Sequence, residues 1–222
     1  MTDIAVRRVD FGYFVRPGSE TADGVERVEP VLGYLVDHPD GAILVDTGMG
    51  RVPGVDDHYR PHRIPLRAAL RAVGAAVEEI RLVVNCHLHF DHCGGNAELA
   101  GVPVLAQRAE LAVARESPQY AAGLFDHPGA VIEELDGDAE IRPGVLIVPT
   151  AGHTDGHQSV VVASADGTVI VAGQSHDQAA GFTGDVLGRR AGVGAQPAWL
   201  GRLLDLDPRR VLFAHDNAVW EP

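Results

Sequence analysis

The pattern of apolar segments predicts an α/β domain in which two β-sheets pack together and helices cover their outer faces. Short apolar runs bounded by glycine and proline alternate with segments of helical periodicity. Asp-Gly pairs separate neighbouring apolar runs at two places, as expected for tight hairpins. Several runs end in polar segments that contain histidine. Because 222 residues are enough to bury one core, we expect a single domain over residues 1–222.

The first predicted elements are a hairpin, a helix and a buried strand. Residues 31–36 and 42–45 are apolar and enclose an Asp-Gly turn, so they should pair antiparallel. A proline suited to a first helical turn then precedes apolar residues at helical spacing, which predicts an amphipathic helix over about residues 64–75. Residues 80–84 form a short apolar strand. This strand leads directly into segment 85–92, NCHLHFDH, which therefore lies at a strand end.

The second half of the chain repeats the alternation of strands, helices and polar strand ends. Helical spacing predicts one helix over residues 106–115 and another after Pro197 that extends through Leu204. The remaining apolar runs are expected to be strands, two of them joined by the second Asp-Gly turn: residues 131–135, 145–149, 159–163, 168–172 and 211–213. The last of these strands delivers His215 and Asp216.

The charge of the chain restricts its partners. The formal net charge is −13, and the sequence contains no lysine, which excludes lysine Schiff-base chemistry and a P-loop. A surface this acidic repels phosphate backbones and anionic lipid headgroups. We therefore expect neither a nucleic-acid nor a membrane partner and favour a small-molecule substrate. A homodimer is left open.

The apolar runs and the two cysteines indicate the cellular compartment. No apolar run in the sequence approaches the ~20 residues that a membrane-spanning helix needs, and the N-terminal residues lack the apolar core of a secretory signal. The two cysteines, Cys86 and Cys93, lie close together in the chain and are expected to be buried thiols rather than a disulfide. A cytoplasmic enzyme is the resulting expectation.

The segment that begins at His87 carries the candidate chemistry, because it places His87, His89, Asp91 and His92 within one short loop. Side chains alternate on an extended chain, so His87 and His89 project to the same side and can reach one cation. Neutral imidazole nitrogens and carboxylate oxygens are ligands for zinc, iron and manganese. The alternative is a polar loop whose histidines only form hydrogen bonds, which clustered imidazoles disfavour because they repel one another once protonated.

Four segments of the chain resemble the metallo-β-lactamase-fold hydrolases, most closely the N-acyl homoserine lactonase branch. Residues 87–96, HLHFDHCGGN, resemble the HxHxDH signature of these enzymes. Residues 44–48 (LVDTG), 150–159 (TAGHTDGHQS) and 213–216 (FAHD) resemble other family elements, in the family's order. The resemblance implies an αββα sandwich of two mixed β-sheets with helices on the outer faces. It is less specific for substrate, because this fold carries many hydrolytic activities.

The resemblance also implies two groups of metal ligands. They are His87, His89 and His153 for one ion, and Asp91, His92 and His215 for a second. The implied cofactor is zinc, with one ion firmly bound and a second ion left open, and with iron or manganese as alternatives. Asp46 and His157 would orient ligand imidazoles through the other ring nitrogen, or would be a turn-stabilising aspartate and a surface histidine. Phe90 would flank the substrate pocket or serve in packing.

The chain departs from the family pattern at Gln174. In the family an aspartate at this place bridges both metals, and a neutral amide with one oxygen is a poorer bridge, so we expect weaker binding of the second ion. His176 and Asp177 could replace the lost ligand, or could be ordinary polar loop residues. A tyrosine that often stands near position 177 in lactonases of this type is not present there.

The resemblance implies a metal-dependent hydrolase that opens a lactone or another ester with a metal-bound hydroxide. Asp91 would be the catalytic residue, because it would orient the nucleophile and pass a proton to the leaving alkoxide. Two alternatives stay open. One is a thioester or β-lactam hydrolase of the same fold, and the other is a metal-binding protein whose catalysis is reduced by Gln174.

Overall fold

The computed structural model describes residues 4–222 and contains two mixed β-sheets. The first sheet has seven strands in the order β4-β1-β2-β3-β5-β6-β7. Their bounds are β1 Ala5–Arg16, β2 Arg27–Asp37, β3 Ala42–Val45, β4 His62–Arg63, β5 Ile80–Val84, β6 Pro103–Gln107 and β7 Val131–Leu135. Strands β1 to β3 are antiparallel neighbours, whereas β3, β5, β6 and β7 pair in parallel.

The second sheet has five strands in the order β12-β11-β10-β9-β8. Their bounds are β8 Ala139–Arg142, β9 Val145–Pro149, β10 Gln158–Ser164, β11 Gly167–Gly173 and β12 Pro208–Phe213. Strands β11 and β12 are parallel, and the other pairs are antiparallel. The α-helices among the described residues are α1 Val55–Tyr59, α2 Leu66–Ala72, α3 Arg108–Glu116, α4 Ala122–Phe125, α5 Ala179–Ala191 and α6 Ala198–Leu204.

Buried apolar side chains divide the molecule into layers. The cluster between the sheets joins residues such as Val45 and Val84 of the first sheet to Ile147 and Val160 of the second. A second cluster packs α2 against the outer face of the first sheet, and a third packs α5 and α6 against the outer face of the second. This layering confirms the predicted αββα sandwich, because each sheet buries one face on the other sheet and one on helices.

The predicted elements are largely confirmed, and one boundary was wrong. Strands β2 and β3 form the expected hairpin, and the expected helix over residues 64–75 spans Leu66–Ala72. The helix predicted for residues 106–115 begins only at Arg108. Gln107 instead belongs to β6, where it is buried and its side-chain amide forms hydrogen bonds with Gly137 and Gln158. Pairing with β7 thus outweighs the helical spacing at Ala106 and Gln107.

Seven strands and helices among residues 4–222 had no correct prediction: β1, β4, β6, β8, α1, α4 and α5. Strand β1 was not predicted, although its residues 11–15, FGYFV, are largely apolar and aromatic, and it is held by its long pairing with β2. Strand β6 was assigned in part to a helix. Helix α5 contains three glycines, each of which disfavours a helix by about 1 kcal/mol, and it is stabilised by burial of Phe182 and Val186. Among residues 4–222, no helix combines the length and apolarity needed to cross a bilayer.

Candidate metal centre

The candidate residues follow the carboxyl ends of strands from both sheets. Strand β5 ends at Val84, just before the His87 loop, and the parallel neighbour β3 ends just before Asp46. In the second sheet, β11 ends before Gln174 and its parallel neighbour β12 ends before His215. Parallel neighbours end at the same edge of a sheet, so residues distant in sequence meet at one edge of the sandwich.

Three imidazoles form the first group of candidate ligands. Nε2 of His87 lies 2.9 Å from Nδ1 of His89, which lies 3.2 Å from Nε2 of His153. Tetrahedral zinc with bonds of about 2.0–2.1 Å would separate its nitrogen ligands by about 3.3 Å, so this spacing fits a shared cation. The expected extended segment is not observed: the chain bends at His87 and His89, and these two histidines approach each other within a bent loop.

Asp91, His92 and His215 form the second group. Nε2 of His92 lies 3.3 Å from Nε2 of His215, and Oδ2 of Asp91 lies 3.7 Å and 3.4 Å from these two nitrogens. All three residues are buried. The six predicted ligands therefore come together as two sets of three, and the geometry of each set allows one metal ion.

Hydrogen bonds to Nδ1 fix the orientation of the two imidazoles in the second group. Asp46 places Oδ2 2.8 Å from Nδ1 of His92, and its Oδ1 accepts a hydrogen bond from the Cys86 amide at 2.8 Å. Nδ1 of His215 lies 2.9 Å from the Pro30 carbonyl oxygen. Since these acceptors require a proton on Nδ1, they direct Nε2 of each ring towards the candidate metal position. The predicted contact between Asp46 and a ligand imidazole is thus present.

His157 has a different role from the one predicted. Its Nδ1 lies 2.8 Å from Oγ1 of Thr150, and its Nε2 accepts a hydrogen bond from the Gln174 amide at 3.1 Å. Both ring nitrogens are therefore engaged, and neither contacts a candidate ligand. His157 instead fixes the backbone that carries Gln174. This role depends on a contact across 17 residues that local sequence does not reveal.

The candidate imidazoles differ in their affinity for protons, because the pKa of His92 is raised whereas the pKa of each of the others, including His215 of the second group, is lowered. Burial, reinforced by neighbouring imidazoles, holds the pKa of His87 well below 6.5 and lowers the pKa of His153 to about 4. These rings are neutral at pH 7 and can donate lone pairs to a metal. Burial also lowers the pKa of His92, but Asp46 and Asp91 outweigh it and raise this pKa to about 9. A cation that binds Nε2 of His92 must therefore displace a proton.

Gln174 lies beside the second group, with Oε1 3.3 Å from Nε2 of His92. Its Nε2 donates to Oδ1 of Asp177 at 2.9 Å. Burial raises the pKa of Asp177, but the Gln174 bond and Arg16 outweigh it, so the net pKa is lowered and this carboxylate only accepts hydrogen bonds. The amide oxygen must therefore face His92. His176 lies outside the cluster, because its Nε2 is 3.0 Å from Asp185.

An open cavity of about 340 Å³ leads to these groups. The rings of Tyr59 and Phe90 stack 5.6 Å apart on one wall, so Phe90 flanks the pocket as predicted. Sequence reasoning missed most of the other wall residues, which come from β1, α1 and surrounding loops: Phe14, Arg16, Val55, Tyr59 and Gln119. Neither β1 nor α1 was predicted, and their local sequence does not connect them with the histidines.

The sequence matches the metallo-beta-lactamase superfamily over residues 27–215. The chain belongs to this superfamily. An N-acyl homoserine lactonase of Bacillus sp is 35% identical over 151 residues, which cover 60% of this chain and 58% of the lactonase. The match thus spans less than two thirds of that curated relative.

Both cysteines of the chain are buried free thiols, as predicted.

Solved structures agree with this assignment. A crystal structure of a mutant of AiiA from B. thuringiensis, with N-decanoyl-L-homoserine bound at its active site, has a TM-score of 0.81 and 25% identity. It aligns over 98% of this chain and 95% of the AiiA chain. An N-acyl homoserine lactone hydrolase with N-hexanoyl-L-homoserine at its catalytic metal center has a TM-score of 0.80 and 25% identity, and aligns over 98% and 95% of the two chains. The superfamily and the histidine-rich groups indicate that this protein binds divalent metal.

Proposed function

We propose that the protein is a metal-dependent hydrolase that opens lactones or related carboxylic esters, with N-acyl homoserine lactones as the first substrate class. The observation that carries the proposal is the convergence of two groups of three candidate ligands, of which His89, Asp91 and His153 line a cavity with an aromatic wall. The relatives and similar structures that are named as lactonases support the same substrate class.

The donor chemistry favours zinc, with iron or manganese as alternatives. We infer that His87, His89 and His153 hold the firmly bound ion, because three neutral imidazole nitrogens already lie at suitable spacing. A second ion at Asp91, His92 and His215 is expected to bind more weakly. Its ligands include a protonated imidazole, and the adjacent amide of Gln174 contributes no charge. A bound divalent ion lowers the pKa of water and polarises a carbonyl.

We propose that Asp91 transfers the proton from the attacking water to the leaving alkoxide. It lines the cavity and lies between the two histidines of the second group. Burial raises its pKa, but His92 and His215 outweigh this effect and the net pKa is lowered, so the carboxylate is ionised at neutral pH. It can therefore accept a proton from the attacking water and deliver it to the alkoxide oxygen that leaves when the ester opens.

The cavity wall fits a neutral substrate with an apolar acyl group. Phe14, Tyr59 and Phe90 form a continuous aromatic surface with ring centroids 5.4 to 6.3 Å apart. Arg16 also lines the cavity, but its Nε and one terminal nitrogen bond both carboxylate oxygens of Glu29 at 2.7 and 2.8 Å. Because this cation is already paired, the wall does not require an anionic substrate.

Removal of the metal is the direct test of the proposal. After dialysis against a chelator, we expect hydrolysis of N-acyl homoserine lactones to disappear, because the water and the carbonyl lose their Lewis acid. Adding back zinc, iron or manganese should restore the rate, which a pH-stat measures as acid release. Thioesters and β-lactams assayed in parallel decide between the hydrolase classes. Unchanged lactone turnover in verified metal-free protein would contradict the proposal.

A reduced or lost catalytic activity is the second candidate, and Gln174 is the observation that favours it. Replacing Gln174→Asp should raise the bound zinc from about one to about two ions per chain, because a carboxylate can bridge two dications. Elemental analysis after equilibrium dialysis measures the ratio, and Gln119→Asp adds the same charge elsewhere on the cavity wall as a control. An unchanged ratio would mean that Gln174 does not limit the second ion.

A further inference from the structure

One buried carboxylate outside the predicted ligand set connects the two chain segments that supply the first group. Glu110 lies on α3 and is only 1% exposed. Its Oε1 accepts a hydrogen bond from the amide of Leu88 at 2.8 Å, and its Oε2 accepts one from Oγ1 of Thr154 at 2.6 Å. Leu88 stands between two of the histidines, and Thr154 directly follows the third.

The surroundings of Glu110 are packed tightly enough to hold this arrangement. A Cβ atom at position 156 would lie 2.1 Å from the backbone nitrogen of Glu110, so Gly156 lets the 150–158 loop press directly against α3. Tyr120 packs against His89 with ring centroids 4.7 Å apart. Burial, reinforced by the Glu110 carboxylate, raises the pKa of Tyr120.

The charge of Glu110 has no obvious structural partner. Among residues 4–222, it forms no ion pair with an arginine or a histidine. Burial of a carboxylate without an opposite charge is unfavourable, even where hydrogen bonds satisfy its oxygens. The nearby first group consists of three imidazoles, with Nδ1 of His89 2.9 Å from Nε2 of His87 and 3.2 Å from Nε2 of His153. A cation on that group would supply the opposite charge.

We infer that Glu110 is a positioning residue for the first metal ion, an inference that rests on the proposed metal site. The carboxylate accepts one hydrogen bond from the loop that carries His87 and His89 and one from the loop that carries His153. It thereby fixes the position of these two loops relative to each other. Its negative charge also stabilises a cation bound to the three imidazoles. Residues behind a ligand shell act in this way without touching the metal or the substrate.

The test is the zinc affinity of Glu110→Gln, measured on metal-free protein by competition with a chromophoric chelator. The amide keeps the size and can keep both hydrogen bonds, since the Thr154 hydroxyl can also accept, but it loses the charge. We expect affinity to fall about 10- to 100-fold. The visible spectrum of the cobalt form reports the ligand geometry. Glu116→Gln, an exposed change on the same helix, is the control and should bind zinc normally.

Thr154→Val supplies an independent variant, because it removes one link and retains the charge. We expect a smaller loss of zinc affinity and an altered cobalt spectrum, with thermal denaturation of the metal-free proteins checking the fold. Normal zinc affinity in a folded Glu110→Gln protein would overturn the inference and leave the proposed function intact. If the unaltered protein binds no metal, both fail. If it binds zinc but opens no lactone, the affinity comparison still decides the role of Glu110.

Discussion

Replacing Asp91→Asn is expected to lower kcat for lactone opening about 100- to 10,000-fold, the range typical of losing a general acid or base. Asparagine has nearly the same size, so the buried site should keep its packing. The amide cannot take up a proton, and it removes the only carboxylate among the six candidate ligands. The loss should therefore appear mainly in kcat, and occupancy of the second ion should fall with it.

Steady-state kinetics with an N-acyl homoserine lactone, combined with elemental analysis of each protein, measures this effect. Asp155→Asn is the matched control, because Asp155 is exposed on the neighbouring loop and belongs to neither ligand group. A kcat close to that of the unaltered protein would show that Asp91 does not carry the proton. A loss that excess metal fully reverses would assign Asp91 to metal binding alone.

The second large effect is expected from His153→Ala, which should weaken binding of the firmly held ion by more than about 100-fold, the upper end for losing an outer group. Two imidazoles would remain, and a metal loses much of its affinity when one of three protein ligands is removed. His153 is exposed in its loop, whereas His87 is fully buried, so this change leaves the core intact. Lactone turnover should disappear at limiting metal.

Chelator competition and the thermal unfolding temperature of the metal-free protein separate metal loss from misfolding. His127→Ala removes a partly exposed histidine that belongs to neither ligand group, and it should change neither quantity. Full occupancy by zinc in the folded His153→Ala protein would remove His153 from the ligand set. It would also undermine the assignment of the first group as the firm site.

Much of the candidate site was predictable because metal ligands impose local spacing. His87, His89, Asp91 and His92 stand within one short loop, and the structure brings His153 and His215 to them. The roles of residues that surround the candidate ligands were harder to predict. His157 holds the backbone of Gln174 rather than a ligand, and nothing in the residues around it distinguishes these roles. Glu110 is a single glutamate on an amphipathic helix, where an exposed position is the ordinary expectation.

The fold shows the same division between local and distant causes. The two Asp-Gly hairpins follow from turn chemistry within a few residues, and both form as expected. Strand β1 and helix α5 were not predicted, and each is stabilised by partners elsewhere in the chain. Their absence from the prediction also concealed the cavity wall, since Phe14 and Arg16 stand on β1.

The sequence by itself determined the layered α/β architecture, the identity of the six candidate ligands and the missing carboxylate at position 174. The architecture follows from residue type and short-range spacing, whereas the full ligand set and the missing carboxylate are what the resemblance to the family implies. Only the tertiary structure decided which way the Gln174 amide points, why His92 and His153 differ in pKa, and how Glu110 joins two loops. Burial and hydrogen bonding between distant segments set these properties, and both arise only after the two sheets have packed together.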